Sequence, residues 1–154
     1  MPKEIERKFL VKNDAWRAIA VGVPYCQGYL SCDVGATVRV RRVGDRGYLT
    51  VKGPTQGVIR LEYEYPIPVA EAEEMLQRLC LRPLIEKVRH KVVLDGVVWE
   101  IDEFGGENAG LIVAEVELVT EDHPLTLPEW IGEEVSHDPR YFNANLVSMP
   151  YCRW

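Results

Sequence analysis

In six strand-like stretches of this chain two like charges stand two residues apart: Glu4-Ile5-Glu6, Arg39-Val40-Arg41, Glu62-Tyr63-Glu64, Lys87-Val88-Arg89, Glu100-Ile101-Asp102 and Glu115-Val116-Glu117. In a β-strand, residues i and i+2 project from the same face. Each segment therefore sets a row of charge on one side. The other side carries mostly apolar residues such as Ile5, Phe9, Val38, Val40, Val88, Ile101 and Val116. One such strand is an ordinary surface strand. Many of them, with few neutral polar residues on the charged face, point to a surface built for a highly charged ligand.

The wider pattern is mainly β. Strands are expected over 3–11, 25–31, 36–43, 48–52, 59–67, 84–94, 97–104 and 111–120, with turns at Gly44-Asp45-Arg46-Gly47 and Asp95-Gly96. A short helical turn is expected near Asn13-Asp14. One clear helix follows from Val69, Ala72, Leu76, Leu79 and Cys80 at helical spacing, with Glu71, Glu73 and Glu74 suited to its positive N-terminal end. Pro124, Pro128 and Pro139 break up the C-terminal region.

The charged rows contain eight acids (Glu4, Glu6, Glu62, Glu64, Glu100, Asp102, Glu115, Glu117) and six bases (Lys8, Arg39, Arg41, Lys52, Lys87, Arg89). Two arrangements satisfy this pattern. The charges either face solvent over an ordinary core, or they line the inside of an eight-stranded antiparallel barrel, whose interior is wide enough for one small ligand. The second arrangement requires a wet or ion-filled lumen, because unpaired buried charge is severely unfavourable. It also leaves apolar outer faces for the helix and the C-terminal segment to cover.

The remaining features exclude more than they assign. A chain of 154 residues is expected to form one domain, and a net charge of −6 argues against a general nucleic-acid binder. No apolar run is long enough to cross a bilayer, and Glu4 and Glu6 fall where a signal peptide would be hydrophobic. Cys26, Cys32, Cys80 and Cys152 have no metal-ligand spacing and are expected to be reduced thiols in a cytoplasmic protein. His90, His123 and His137 are scattered, and P-loop, GxSxG, HExxH and GxGxxG signatures are absent.

The stretch Glu4-Ile5-Glu6-Arg7-Lys8-Phe9-Leu10-Val11 resembles the ExExK signature of the CYTH superfamily, the triphosphate tunnel metalloenzymes. Gln27-Gly28-Tyr29-Leu30, Arg39-Val40-Arg41, Thr50-Val51-Lys52, the Glu62/Glu64 strand, Glu86-Lys87-Val88-Arg89, Glu100-Ile101-Asp102 and Glu115-Val116-Glu117 are similar to the family's strands, in its order. Arg140-Tyr141-Phe142-Asn143 is similar to its closing segment. The resemblance implies a closed eight-stranded tunnel with the charges inside, in a compact single-domain form.

It also implies a chemistry that the residue types can carry. Arg39, Arg41, Lys87 and Arg89 are suited to clamping phosphoryl oxygens, with Lys8 and Lys52 as added point charges. Glu4, Glu6, Glu115 and Glu117 are hard oxygen ligands for Mg²⁺ or Mn²⁺, on strands expected to be neighbours. Glu62, Glu64, Glu100 and Asp102 would hold a second ion, orient water or pair with the bases. Tyr29 is a candidate for proton transfer, and Lys52 for protonating a leaving phosphate or neutralising it. Arg140 would close over the substrate or sit on the surface. The expected activity is metal-dependent hydrolysis of a linear triphosphate, with inorganic tripolyphosphate favoured because nothing announces a base-recognition pocket. Class IV adenylate cyclase, thiamine triphosphatase and a non-catalytic polyphosphate-binding module are the alternatives. Oligomeric state is not specified, and a homodimer is compatible with the sequence.

Overall fold

The computed structural model describes residues 3–33 and 35–154. Nine strands follow the chain: β1 (Lys3–Val11), β2 (Val21–Cys32), β3 (Thr37–Val43), β4 (Arg46–Lys52), β5 (Ile59–Ile67), β6 (Ile85–Leu94), β7 (Val97–Phe104), β8 (Ile112–Glu117) and β9 (Ile131–Glu134). Helix α1 (Val69–Arg78) lies between β5 and β6, and a single turn, α2 (Asn145–Ser148), lies near the C-terminus.

The first eight strands close into an antiparallel barrel in the order β1-β5-β4-β3-β2-β6-β7-β8 and back to β1. Closure depends on β1 serving several neighbours. Lys3 to Ile5 pair with Leu61 to Ile59 of β5, while Glu6 to Leu10 pair with Glu117 to Val113 of β8. From Phe9 onward the β5 side of β1 is taken by β9, so that edge is covered.

Strand boundaries largely match the expectation, with local exceptions that have physical reasons. β2 begins at Val21, four residues earlier than expected, and runs through Pro24. Pairing with β3 starts only at Tyr25, so residues 21–24 form an edge bonded to β6 alone, where a missing N–H is tolerated. The β6–β7 hairpin turns on Asp95 (φ 50°) and Gly96 (φ 74°), the two positive values that a tight hairpin demands. The short β9, Ile-Gly-Glu-Glu, has no alternating pattern to announce it.

The barrel is charged inside and apolar outside. On one outer wall Phe9, Trp99, Ile101, Ala114 and Val116 pack beneath Trp16, Leu118 and Trp130. On another, Val40 packs with Ala72, Leu76 and Cys80, which places α1 over β3 and β4. The helix covers an outer face as expected, and so does the part of the C-terminal region around Leu125 and Trp130, but the last part of that region does not. Its Tyr141, Leu146 and Val147 join Tyr29, Ile85, Phe104, Leu111, Val113 and Val135 in a cluster across one end of the lumen. The inward-facing parity turns apolar at that end (Ile85 before Lys87, Val113 before Glu115), so burial draws the segment to the end of the tunnel. The first of these outer walls is sealed by the 3₁₀ turn Ala15–Ile19 and the stretch leading to Trp130.

Candidate active site

The inward faces enclose a cavity of about 570 Å³. Of the residues expected to face a lumen, Glu4, Glu6, Lys8, Tyr29, Arg39, Arg41, Lys52, Glu62, Glu64, Lys87, Arg89, Glu100, Glu115 and Glu117 line it. Asp102 lies just behind the wall, with no exposed surface. Arg140 lies outside the lining: it grips Asp138 at 2.7 Å and lies over the Tyr141 and Trp154 rings.

Strand order turns this list into two opposed walls. In a ring of eight, β2 stands across from β1. The strands flanking β2 carry Arg39 and Arg41 (β3) and Lys87 and Arg89 (β6), while β1 and its neighbour β8 carry Glu4, Glu6, Glu115 and Glu117. A basic wall thus faces an acidic one across the lumen. The expected pairing of the two glutamate strands is direct: Glu6 stands opposite Glu117, and Lys8 opposite Glu115.

The charges form a partly compensated network. Lys8 Nζ bridges Glu115 and Glu6, the latter at 3.2 Å. Lys52 Nζ bridges Glu4 at 3.0 Å and Glu62 at 3.2 Å. Asp102 receives Arg89 through a two-pronged contact at 2.8 and 2.9 Å and Lys87 at 2.8 Å. Two bases thus share one fully buried carboxylate, which leaves Lys87 short of counter-charge. Burial pushes Lys87 down to about 8, with Asp102 opposing and Arg89 adding to the fall. Burial alone would raise Asp102, but Lys87 and Arg89 hold it below its ordinary value.

The acidic wall shows the opposite deficit. Burial first, then Glu115, pushes the Glu6 carboxyl up to about 7, with Lys8 only partly compensating. Burial and the charges of Glu4, Glu6 and Glu100 raise Glu117. Carboxylates so placed favour an added cation, and their oxygens suit a hard divalent ion. Among the described residues, no three carboxylates converge as a ready-made metal cluster. The ammonium groups of Lys8 and Lys52 stand between the glutamates instead.

The basic wall keeps donors in reserve. Among the described residues Arg39 has no carboxylate partner, and its one side-chain contact is a 3.5 Å approach to Thr50 Oγ1. The Nε groups of Arg39 and Arg41 are buried with no acceptor among the described residues. Buried unpaired donors cost free energy, and both arginines belong to the wall that lines the cavity. Arg41 is also bound to Glu64 at 2.6 Å, and burial followed by Arg39 pushes its pKa down.

Several lining residues were not anticipated. Tyr25 lies under both Arg41 and Arg89, with ring-to-guanidinium distances of 5.2 and 5.1 Å, and so braces the basic wall across β2. Arg60 and Lys91 also line the cavity. All three carried a usable signal, since Tyr25 shares parity with Gln27, Arg60 with Glu62, and Lys91 with Arg89. Ser136 and Asn143 come from irregular chain, where no periodicity could flag them. Tyr29 lines the tunnel and packs into its apolar end, and no side-chain hydrogen bond ties its hydroxyl among the described residues.

Comparison with known proteins agrees with this geometry. The CYTH domain model matches residues 2–149. The inorganic triphosphatase of Acetivibrio thermocellus is 56% identical over 151 residues, covering 98% of this chain and 97% of that protein. The inorganic triphosphatase of Nitrosomonas europaea is 38% identical over 152 residues, covering 96% and 99%. A solved crystal structure of an inorganic triphosphatase, 37% identical, superposes with a TM-score of 0.66 over 96% of this chain and 95% of that one.

Proposed function

This chain belongs to the CYTH domain family, and from that premise we propose that it is a metal-dependent triphosphatase whose preferred substrate is inorganic tripolyphosphate. The observation that carries the reading is the pair of opposed walls: among the described residues Arg39 has no carboxylate partner, and with Arg41, Lys87 and Arg89 it lines the cavity across from a glutamate wall short of cations. A solvated surface network would have paired these groups with each other. A polyanion accompanied by divalent cations pairs both walls at once.

The reaction adds water across the terminal P–O–P bond and yields pyrophosphate and orthophosphate. Such chemistry needs positioning and charge neutralisation more than covalent help. Arg39 and Arg41 grip adjacent phosphoryl groups with planar paired donors, and Lys87 and Arg89 grip the chain from the far side of β2. Asp102 holds Lys87 and Arg89 in place from behind and does not itself meet the substrate. Glu4, Glu6, Glu115 and Glu117 would hold Mg²⁺ or Mn²⁺, which when bound neutralises phosphoryl charge and polarises water. Lys52 adds positive charge near Glu4, which helps neutralise the leaving phosphate. Tyr29 offers a hydroxyl at the tunnel's apolar end.

The names of the two relatives support this choice, since each is called an inorganic triphosphatase. Initial rates on tripolyphosphate, ATP and thiamine triphosphate with Mg²⁺ test the reading. Tripolyphosphate should be the best substrate, and a cyclic nucleotide product from ATP would favour the cyclase alternative. Binding of all three without cleavage would identify a binding module.

A further inference from the structure

We propose that the Asn143 carboxamide is a phosphoryl-binding group of the tunnel, fixed in its donating orientation by Lys87 and Gln27; this rests on the triphosphatase reading. Asn143 lies between the 3₁₀ turn Pro139–Tyr141 and α2, in the segment that crosses one end of the lumen, and it lines the cavity. Its Oδ1 accepts from Lys87 Nζ at 3.1 Å and from Gln27 Nε2 at 3.3 Å.

The chemistry of the partners decides which way the amide points. An ammonium group only donates, so the Asn143 carbonyl must face Lys87, and the opposite flip would set N–H against N–H. The Nδ2 group, with two N–H donors, is thereby turned away from both partners. Among the described residues no protein acceptor receives it, although Asn143 borders the lumen. Gln27 has no exposed surface; among the described residues its one side-chain hydrogen bond goes to Asn143, and its own Oε1 has no partner. A buried orphan acceptor is costly. Its retention is explained if Gln27 serves to pin the Asn143 carbonyl, which makes it a positioning residue.

The backbone around Asn143 is anchored as well. Asn145 Nδ2 donates to Pro139 O at 2.8 Å, Leu146 N donates to Phe142 O at 3.2 Å, and Tyr141 and Leu146 are buried in the end cluster. The amide is therefore held before any ligand arrives, which is what a binding group requires. Two free N–H groups beside a lysine select an anionic oxygen and reject a cation. In this tunnel that oxygen belongs to the phosphoryl group lodged nearest the C-terminal segment, where Asn143 and Lys87 form a neutral and a charged donor pair.

The test compares wild type with Asn143→Ala, Asn143→Asp and Gln27→Met. Steady-state kinetics on tripolyphosphate with Mg²⁺ are read beside calorimetric binding of its non-hydrolysable imido analogue, with melting temperature as a check on folding. A hydrogen bond to a charged group implies a ~10–100-fold loss in kcat/KM for Asn143→Ala, carried mainly by KM. Asn143→Asp keeps the acceptor for Lys87 and Gln27, removes both donors and adds negative charge, so it should fall below alanine. A purely structural role predicts the reverse order, with aspartate restoring function. Gln27→Met should show a smaller loss, again in KM. Wild-type kinetics and analogue affinity in Asn143→Ala, or recovery in Asn143→Asp, would overturn the proposal. A wild-type protein that binds the analogue but leaves tripolyphosphate intact would sink the hydrolase reading, while analogue affinities of the variants would still decide this one.

Discussion

Replacing Glu6 by glutamine should inactivate the protein and stabilise it, and the size of the second effect depends on pH. In the folded chain the Glu6 carboxyl titrates at about 7, against an ordinary value of 4.5, because it is buried and faces Glu115 and Glu4. A raised carboxyl pKa means that the folded state disfavours the charge. At pH 8 wild type carries the whole penalty. As pH falls from about 7 toward 4.5 the folded protein takes up the proton first, and the penalty disappears. At roughly 1.36 kcal/mol per unit, the difference corresponds to about 3 kcal/mol at pH 8. The side chain keeps 22% of its surface exposed, so solvent screening reduces this to about 2–3 kcal/mol. For a chain of this size that is a rise of roughly 4–12 °C in melting temperature. Thermal unfolding of both proteins in chelator at pH 8 and pH 5 measures it. The glutamine variant should melt higher at pH 8, and the gap should shrink at pH 5. Turnover should fall by ~10² or more, as when a principal electrostatic stabiliser is removed. A variant that melts lower than wild type at pH 8, or a gap that does not change with pH, would refute the view that the acidic wall lacks counter-charge.

Two further outcomes separate lumen from surface. Arg39→Ala and Arg41→Ala should each lose ~10–100-fold in kcat/KM on tripolyphosphate, with lysine recovering only part because it lacks the planar fork; unchanged kinetics in steady-state assays would mean these guanidiniums do not meet substrate. Arg140→Ala should leave kcat/KM as in wild type, since Arg140 is bound to Asp138 outside the tunnel lining; a large loss in the same assay would show that the segment closes inward during turnover.

Much of the site could be read from sequence because a β-strand enforces a strict period of two. Once Glu4, Glu6 and Lys8 share a face, their neighbours Ile5 and Phe9 must take the other, and the barrel obeys this on every charged strand. Parity carries no information about depth. It placed Asp102 with Glu100, yet one residue is sealed behind two bases while the other borders the cavity. Nor does it say where an inward face stops being polar, so the apolar end formed by Ile85, Phe104 and Val113 is not legible from it, and the segment that packs there is marked only by the resemblance of Arg140-Tyr141-Phe142-Asn143 to a closing segment. Asn143 and Arg140 sit in that irregular stretch, three residues apart in sequence, and only packing determines which of them lines the lumen.

The central claim is that triphosphate is held between the basic and acidic walls and hydrolysed there with the help of a divalent cation. Phosphorus NMR of tripolyphosphate incubated with the protein and Mg²⁺, then with excess chelator, then with Mg²⁺ restored, tests it most directly. Equal amounts of pyrophosphate and orthophosphate should accumulate, stop when chelator is added and resume when the ion returns. Continued release of orthophosphate in saturating chelator, or intact tripolyphosphate throughout, would contradict the account.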